Sequence, residues 1–258
     1  MKLKQYILAF LILLTHFVFA QNKRFSTQGL ITFEKKVNMH ALIKEMIRKN
    51  PKDSYLPMFF EEYQKKQSQF NVLKSTLAFS NNQTLFTPIE PETNTNDFFG
   101  GFGAAQQNNV IATNTIAQTS IAQKKVYEET YLVKDSTRKI NWKITNEIRN
   151  IAGYDCRRAN ALIMDSIYVV AFYTDEIPVS GGPESFTGLP GMILGVALPY
   201  EHITWFATSV VDQPMADNKL KAPTKGKPLT NAGLSKTLKE ALKNWGDYAQ
   251  QALKEFML

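Results

Sequence analysis

From residue 31 onward apolar and polar positions alternate: Ile31, Phe33, Val37 and Met39 share one side of an extended backbone, with Lys35 as the one charged interruption. A period of two predicts a half-buried strand. Leu42, Ile43, Met46 and Ile47 then recur at helical spacing over 41–49. Asn50-Pro51 ends that run, and Pro57 opens a second one carrying Met58, Phe59, Phe60 and Tyr63. A helical insertion over 41–67 is therefore expected after the first strand. Residues 70–89 return to strand character, with Asn81-Asn82 marking a hairpin turn whose residues must accept positive φ.

Further along, extended segments follow one another without intervening helices. They cover 126–133, 140–148, 159–164, Ile167–Thr174, Met192–Leu198 and Ile203–Val211, with turns at Asp135-Ser136, near Gly153, at Asp165-Ser166 and at Pro199-Tyr200-Glu201. Strands joined by short turns imply antiparallel pairing and not a βαβ fold. The tail, 230–258, reads as one C-terminal helix with Thr230 as N-cap and Leu234, Leu238, Leu242, Trp245, Ala249, Ala252 and Phe256 along one face. The expected fold is α+β and predominantly antiparallel β. It is a curved open sheet of about eight to ten strands, of the half-barrel, lipoprotein-carrier-like kind, covered by the C-terminal helix and the inserted helical pair.

Composition changes this picture in two places. Residues 1–20 place Lys2 and Lys4 before an apolar run that ends in Val18-Phe19-Ala20, the pattern of a secretory signal peptide cleaved after Ala20. The run is shorter than the roughly 20 apolar residues a spanning helix needs, which disfavours a membrane anchor. The expected organisation is thus a signal peptide over 1–20 and a single β-rich domain over 21–258. The expected location is the periplasm or the outer-membrane or cell surface, with no transmembrane segment after cleavage. Cleavage takes two lysines with it and lowers the side-chain net charge from +7 to +5. The second place is 92–124, rich in Asn, Gln, Thr, Ala and Gly with a Phe98-Phe99-Gly100-Gly101-Phe102-Gly103 cluster. It reads as a low-complexity insertion whose first half is a flexible surface excursion, with an aromatic lid as the functional alternative.

Catalytic signatures are sparse. No GxSxG elbow, Walker loop or GxGxxG is present, and paired carboxylates such as Asp175-Glu176 are adjacent, so on a strand they point to opposite faces. The mature chain keeps His40 and His202, and with Cys156 these are the weak candidates for a metal; none forms a ligand pair at helical spacing. Neither a metal nor another cofactor is expected. Cys156, flanked by Arg157 and Arg158, reads as a small buried hydrophobe, since a lone cysteine cannot form an intrachain disulfide. The basic run Lys219, Lys221, Lys225 and Lys227 reads as a solvated loop, and nucleic acid is not an expected partner of an exported chain.

One loop stands out. Between Thr174 and Met192 the chain carries Pro178, Gly181-Gly182-Pro183 and Gly188-Leu189-Pro190-Gly191. Pro190 and Gly191 suit the two central positions of a type II turn, with positive φ at Gly191. Phe186, Leu189 and Met192 are too apolar for a free loop, so a compact, self-packed structure is expected, and Gly195 suggests a bulge or a close backbone approach in the next strand. Candidate binding residues are Tyr173, Pro183, Phe186, Gly188, Leu189, Pro190, Gly191 and Met192.

These residues resemble the GLPGLI family of exported Gram-negative proteins. Similar landmarks occur in order: Ile31-Thr32-Phe33-Glu34, Asn38-Met39-His40, Leu85-Phe86, Trp142-Lys143-Ile144, Ile151-Ala152-Gly153-Tyr154-Asp155-Cys156-Arg157-Arg158-Ala159, Phe172-Tyr173-Thr174 and Ile177-Pro178. The chain departs by having Met192 where the name-giving motif has Leu, and Ala171 where an aromatic is common. The resemblance implies export and a β-rich domain, and no established activity. The functional expectation is a non-enzymatic envelope protein that binds an apolar ligand, a peptide or an outer-membrane partner through the sheet and the 188–191 loop. The alternatives are an envelope enzyme and a purely structural or assembly factor.

Overall fold

The computed structural model describes residues 25–90, 106, 108–246 and 248–258. The signal-peptide reading of 1–20 and the aromatic cluster at 98–103 lie outside those residues. Among the described residues twelve strands form one sheet: β1 (Gln28–Asn38), β2 (Phe70–Ser80), β3 (Gln83–Ile89), β4 (Asn109–Asn114), β5 (Thr119–Val126), β6 (Glu129–Ser136), β7 (Lys143–Ile151), β8 (Tyr154–Ile163), β9 (Ile167–Thr174), β10 (Met192–Leu198), β11 (Ile203–Val211) and β12 (Lys227–Leu229). Their spatial order is β12-β6-β5-β4-β3-β2-β1-β11-β10-β9-β8-β7. Every pairing is antiparallel except the short β12 on β6. The sheet is open, with β12 and β7 at its edges.

It is also strongly curled. In a flat sheet β5 would lie roughly 19 Å from β1, four strands away. Yet the inward side chains Lys35 of β1 and Lys124 of β5 line one cavity of about 40 Å³. The curl gives the inner face a concave shape, filled by Ile31, Phe33, Val37, Leu77, Phe79, Phe86 and Ile111 from one half and by Val169, Ala171, Ile193 and Trp205 from the other.

Local chemistry accounts for the turns. Asn81 and Asn82 adopt φ of 47° and 62°, the paired positive values of a two-residue hairpin turn. The β8–β9 turn uses Met164 and Asp165, also at positive φ, one residue earlier than the expected Asp165-Ser166. Gly195 marks the expected bulge, and what approaches it closely is a side chain, not a backbone. The β9–β10 register shifts between Ile193 and Gly195, and a Cβ at Gly195 would lie 2.7 Å from the Phe206 ring.

Among the described residues four α-helices accompany the sheet: α1 (Met39–Lys49), α2 (Tyr55–Lys66), α3 (Asn231–Ala241) and α4 (Tyr248–Met257). Asn38 caps α1 by accepting from Ala41 N at 3.1 Å. Among the described residues no helix is long and apolar enough to cross a membrane.

Further sequence expectations differ from the structure: the strand expected over 126–133 is broken by the β5–β6 turn at Tyr127, which has φ 53°, and Asp135-Ser136 belong to β6, not to a turn. The second half of the Asn/Gln-rich segment forms β4 and β5, which raises the strand count to twelve. Its alternation runs through Ile111, Thr113, Ala122, Lys124 and Val126, so small and polar residues do the inward pointing and conceal the period. The expected single helix over 230–258 is two. Thr230 does cap α3, accepting from Gly233 N at 3.1 Å, but the helix stops after Leu242 and Gly246 takes a left-handed φ of 56° before α4 begins.

Candidate functional site

The β9–β10 loop is compact and self-packed. Ile177, Val179, Phe186, Leu189 and Met192 are buried in the core, Leu189 at 2% exposure. The corner is not the type II turn that Pro190-Gly191 suggested. Gly191 N donates to Leu189 O at 2.8 Å, closing a three-residue turn centred on Pro190, and Gly191 is not among the glycines with positive φ. The same short bond recurs from Val179 N to Ile177 O and from Gly181 N to Val179 O, both at 2.8 Å. Glycine is needed at 191 for space: a Cβ there would lie 2.1 Å from Thr174 O. Gly188 carries the positive φ, 95°, under the indole of Trp142, whose Nε1 donates to Thr187 O at 3.0 Å.

Of the eight candidate binding residues, Tyr173, Pro183, Phe186, Leu189, Gly191 and Met192 are buried, whereas Gly188 and Pro190 are exposed. Of these eight, only those two are open to contact in this conformation; the loop also exposes Asp175 and Pro178.

A different constellation lies on the concave face. Lys35 points inward from β1, opposite Trp205 of β11 in register, and its Nζ sits 5.3 Å from the Trp205 ring centre. Lys124 points inward from β5, opposite Asn109 of β4. The loop supplies Glu184, whose Oε2 accepts from Asn109 Nδ2 at 3.0 Å. The three charged residues are 5%, 6% and 7% exposed for Lys35, Lys124 and Glu184. They line a cavity of about 40 Å³ together with Phe186, Trp205 and Glu255.

Carbonyls satisfy the ammonium groups: Lys35 Nζ donates to Gln106 O at 2.7 Å and Lys124 Nζ to Phe256 O at 3.0 Å. The latter belongs to the last turn of α4, whose carbonyl end favours a cation. Two more side chains hold the same end, Arg138 Nη2 donating to Met257 O and Ser185 Oγ to Leu258 O.

Burial controls the electrostatics. Desolvation lowers Lys35 to about 8, against the opposing pull of the Glu184 and Glu255 carboxylates. It lowers Lys124 to about 8 as well, with Glu184 pulling upward and Arg138 pushing down. Glu184 is raised above the ordinary carboxylate range by its burial, which outweighs Lys35, the Asn109 amide and Lys124. Its backbone sits at φ 52°, a left-handed conformation costing about 1–2 kcal/mol for a residue with a side chain. A charged group held buried in a strained loop is the kind of feature that marks functional sites.

Sequence reading reached Lys35 only as an interruption of the apolar side, and it missed Lys124, Arg138 and Glu184. A lysine on the inward side of a period-two pattern was the available signal. The partners come together only through the curl, which no local pattern encodes.

The remaining candidates do not assemble. Among the described residues no three His, Cys, Asp or Glu side chains converge in a way that could hold a metal ion. His40 packs edge-on to Phe60, with ring centres 5.6 Å apart. Cys156 is fully buried, and burial, followed by the Asp155 and Glu176 carboxylates, pushes its thiol up to about 12, the reverse of an activated cysteine.

Comparison with known proteins bears on the same region. A family model described as a protein of unknown function, Porph_ging, matches residues 162–195, which run from the end of β8 through β9 and the loop into β10. No curated protein matches the chain. Two solved structures of PNGF-II, in space groups C2 and P21, resemble it with TM-scores of 0.52 and 0.49 at 16% and 17% identity. Each match covers 84% of this chain and 33% of the other, so the chain spans about a third of that protein's length. The likeness to the C2 structure is one of fold.

Proposed function

We propose that the chain is an exported, non-enzymatic envelope protein of the GLPGLI kind whose task is recognition. On this reading the concave face and the loop around 188–191 hold an apolar ligand, or a peptide from an outer-membrane or other envelope partner, that also carries an acceptor group. The observation that carries the reading is the buried trio of Lys35, Lys124 and Glu184 around a cavity walled by Phe186 and Trp205. Burying charged groups costs several kcal/mol each, and well-packed apolar residues would stabilise the sheet as well or better. Trp205 adds a second sign, because its Nε1 is buried with no acceptor among the described residues. Aromatic walls with a few convergent polar groups are the usual composition of a ligand site. The loop's part is to place Glu184 and Phe186 at the wall while exposing Gly188 and Pro190.

The test is native mass spectrometry of the full chain isolated from the envelope fraction of its own cells. The expected result is a retained mass that Trp205→Phe, which keeps the ring and removes the N–H, releases at lower collision energy. Wild type and Trp205→Phe both running at the bare chain mass, with no envelope peptide captured, would overturn it.

A further inference from the structure

On the other side of Lys124 lies a second cavity of about 40 Å³, lined among others by Thr113, Ser120, Lys124, Asp135, Arg138 and Ser185. Its feature is an unanswered donor. Arg138 Nη2 donates to Met257 O, but Nη1 is buried with no acceptor among the described residues. Leaving such a donor unmatched costs about 1–3 kcal/mol, more for a charged group. Among the described residues no acidic group offsets it. Burial alone moves Arg138, downward, and Lys124 stands close enough for the two cations to repel.

Asp135 also lines this cavity, yet its oxygens are engaged elsewhere: Oδ1 accepts from Ser136 N at 2.8 Å and Ser136 Oγ at 3.4 Å, and Oδ2 from Asn231 N at 2.9 Å. Glu184 lines the neighbouring cavity. Thr113 and Ser120 face each other across β4 and β5 in register, so two hydroxyls share the wall with two cations. One water needs about 10–15 Å³ of such space, so the volume suits a few waters or one small oxyanion.

We infer that this cavity is an oxyanion site that takes a carboxylate or phosphate group on Arg138 Nη1 and Lys124, with the Thr113 and Ser120 hydroxyls completing its shell. Guanidinium and ammonium donors bind such oxygens by charge-assisted hydrogen bonds, about twice as strong as neutral ones. The inference deepens the recognition reading and rests on it: the acceptor group of the ligand is acidic and docks here.

Inorganic phosphate and acetate, titrated separately into the full chain, supply the test and separate the two oxygen sources. One of them is expected to bind at one site, shifting the Thr113 and Ser120 amide resonances, and Arg138→Gln to weaken binding at least about tenfold. Thr113→Val, close in volume, is expected to weaken it about threefold, and it decides the matter should Arg138→Gln fail to fold. No binding of either anion, equal binding by a folded Arg138→Gln protein, or shifts centred on the Trp205 indole would overturn the site. A ligand retained in native spectra by folded Arg138→Gln protein leaves recognition standing and removes the oxyanion assignment. Phosphate bound by a chain that retains no ligand does the reverse.

Discussion

The two sides of the concave face are built on different principles. Around β9, the loop and β10, the inward side is apolar: Val169, Ala171, Ile177, Met192, Ile193 and Leu194 are fully buried, and short backbone bonds close the loop onto itself. Around β1, β5 and the end of β6, the same face carries Lys35, Lys124 and Arg138, two small cavities, and a helix whose last carbonyls answer the charges. Shape holds the first side together, so volume changes should damage it and pH should not. Charge satisfaction holds the second, so its stability should follow protonation.

The largest expected effect of a single substitution breaks the shape-held side. Gly191→Val places a Cβ 2.1 Å from Thr174 O, against a strand that cannot move without losing its pairing to β10. A loss of about 4 kcal/mol or failure to fold is expected, read by urea denaturation, because steric conflict with backbone has no cheap relaxation. Leu189→Ala should cost about 3 kcal/mol, since it empties a buried leucine site in a corner already locked by the Pro190 turn. A cost under about 1 kcal/mol would show that the loop is loose in solution, and the contrast between the two sides would fall.

On the charge-held side the expected signature is a slope. The folded state lowers Lys35 and Lys124 from 10.5 to about 8, so between those values the unfolded chain binds more protons than the native one. Stability therefore rises with pH from about 8 to 10.5, and that gain is lost as pH falls back through 8. The pair should contribute on the order of 7 kcal/mol over this window, and the double variant Lys35→Met with Lys124→Met should flatten the slope seen in wild type. Glu184 has the opposite sign: its raised value makes its contribution largest below the ordinary carboxylate range and lost as pH climbs through the folded value. Leu189→Ala should shift the whole profile without changing its slope. Coinciding slopes in wild type and the double variant would mean that the lysines are solvated.

Legibility divides along the same line. Met192–Leu198 and Ile203–Val211 are strands with the ends their hydrophobic runs marked, and Asn81-Asn82 turns where positive φ was required. Each of these is a local decision made by side chains next to one another. The loop's burial was legible from Phe186, Leu189 and Met192, but its turn type was not. The reason Gly191 is needed is a Thr174 carbonyl on another strand, whereas local turn preference suggested φ > 0. β4 and β5 escaped because Thr113 and Lys124 occupy inward positions that apolar residues usually hold. The charged cluster was the least visible part, since Lys35 and Lys124 meet across four strands of a curled sheet and Glu184 arrives from a loop.

The smallest expected effect sharpens the comparison where the two sides touch. Trp142 stands just before the exposed edge strand β7 and donates from Nε1 to Thr187 O, three residues from Glu184. Gly188, at the left-handed φ that favours glycine, lies in van der Waals reach of the indole. Trp142→Phe keeps most of the apolar cover and removes the one donor, so about 1 kcal/mol of stability should be lost. Thr187 O would then turn to solvent, and the strain at Glu184 φ 52° would have less to oppose it. If the loop is what holds Glu184 at the cavity wall, the alkaline slope of the lysines should also shift in Trp142→Phe, because a carboxylate that relaxes away no longer pulls Lys35 and Lys124 upward. Denaturation curves at pH 7, 8 and 9 would separate the outcomes. A loss equal at every pH confines Trp142 to the apolar staple, and a loss that changes across the series ties the staple to the charged cluster.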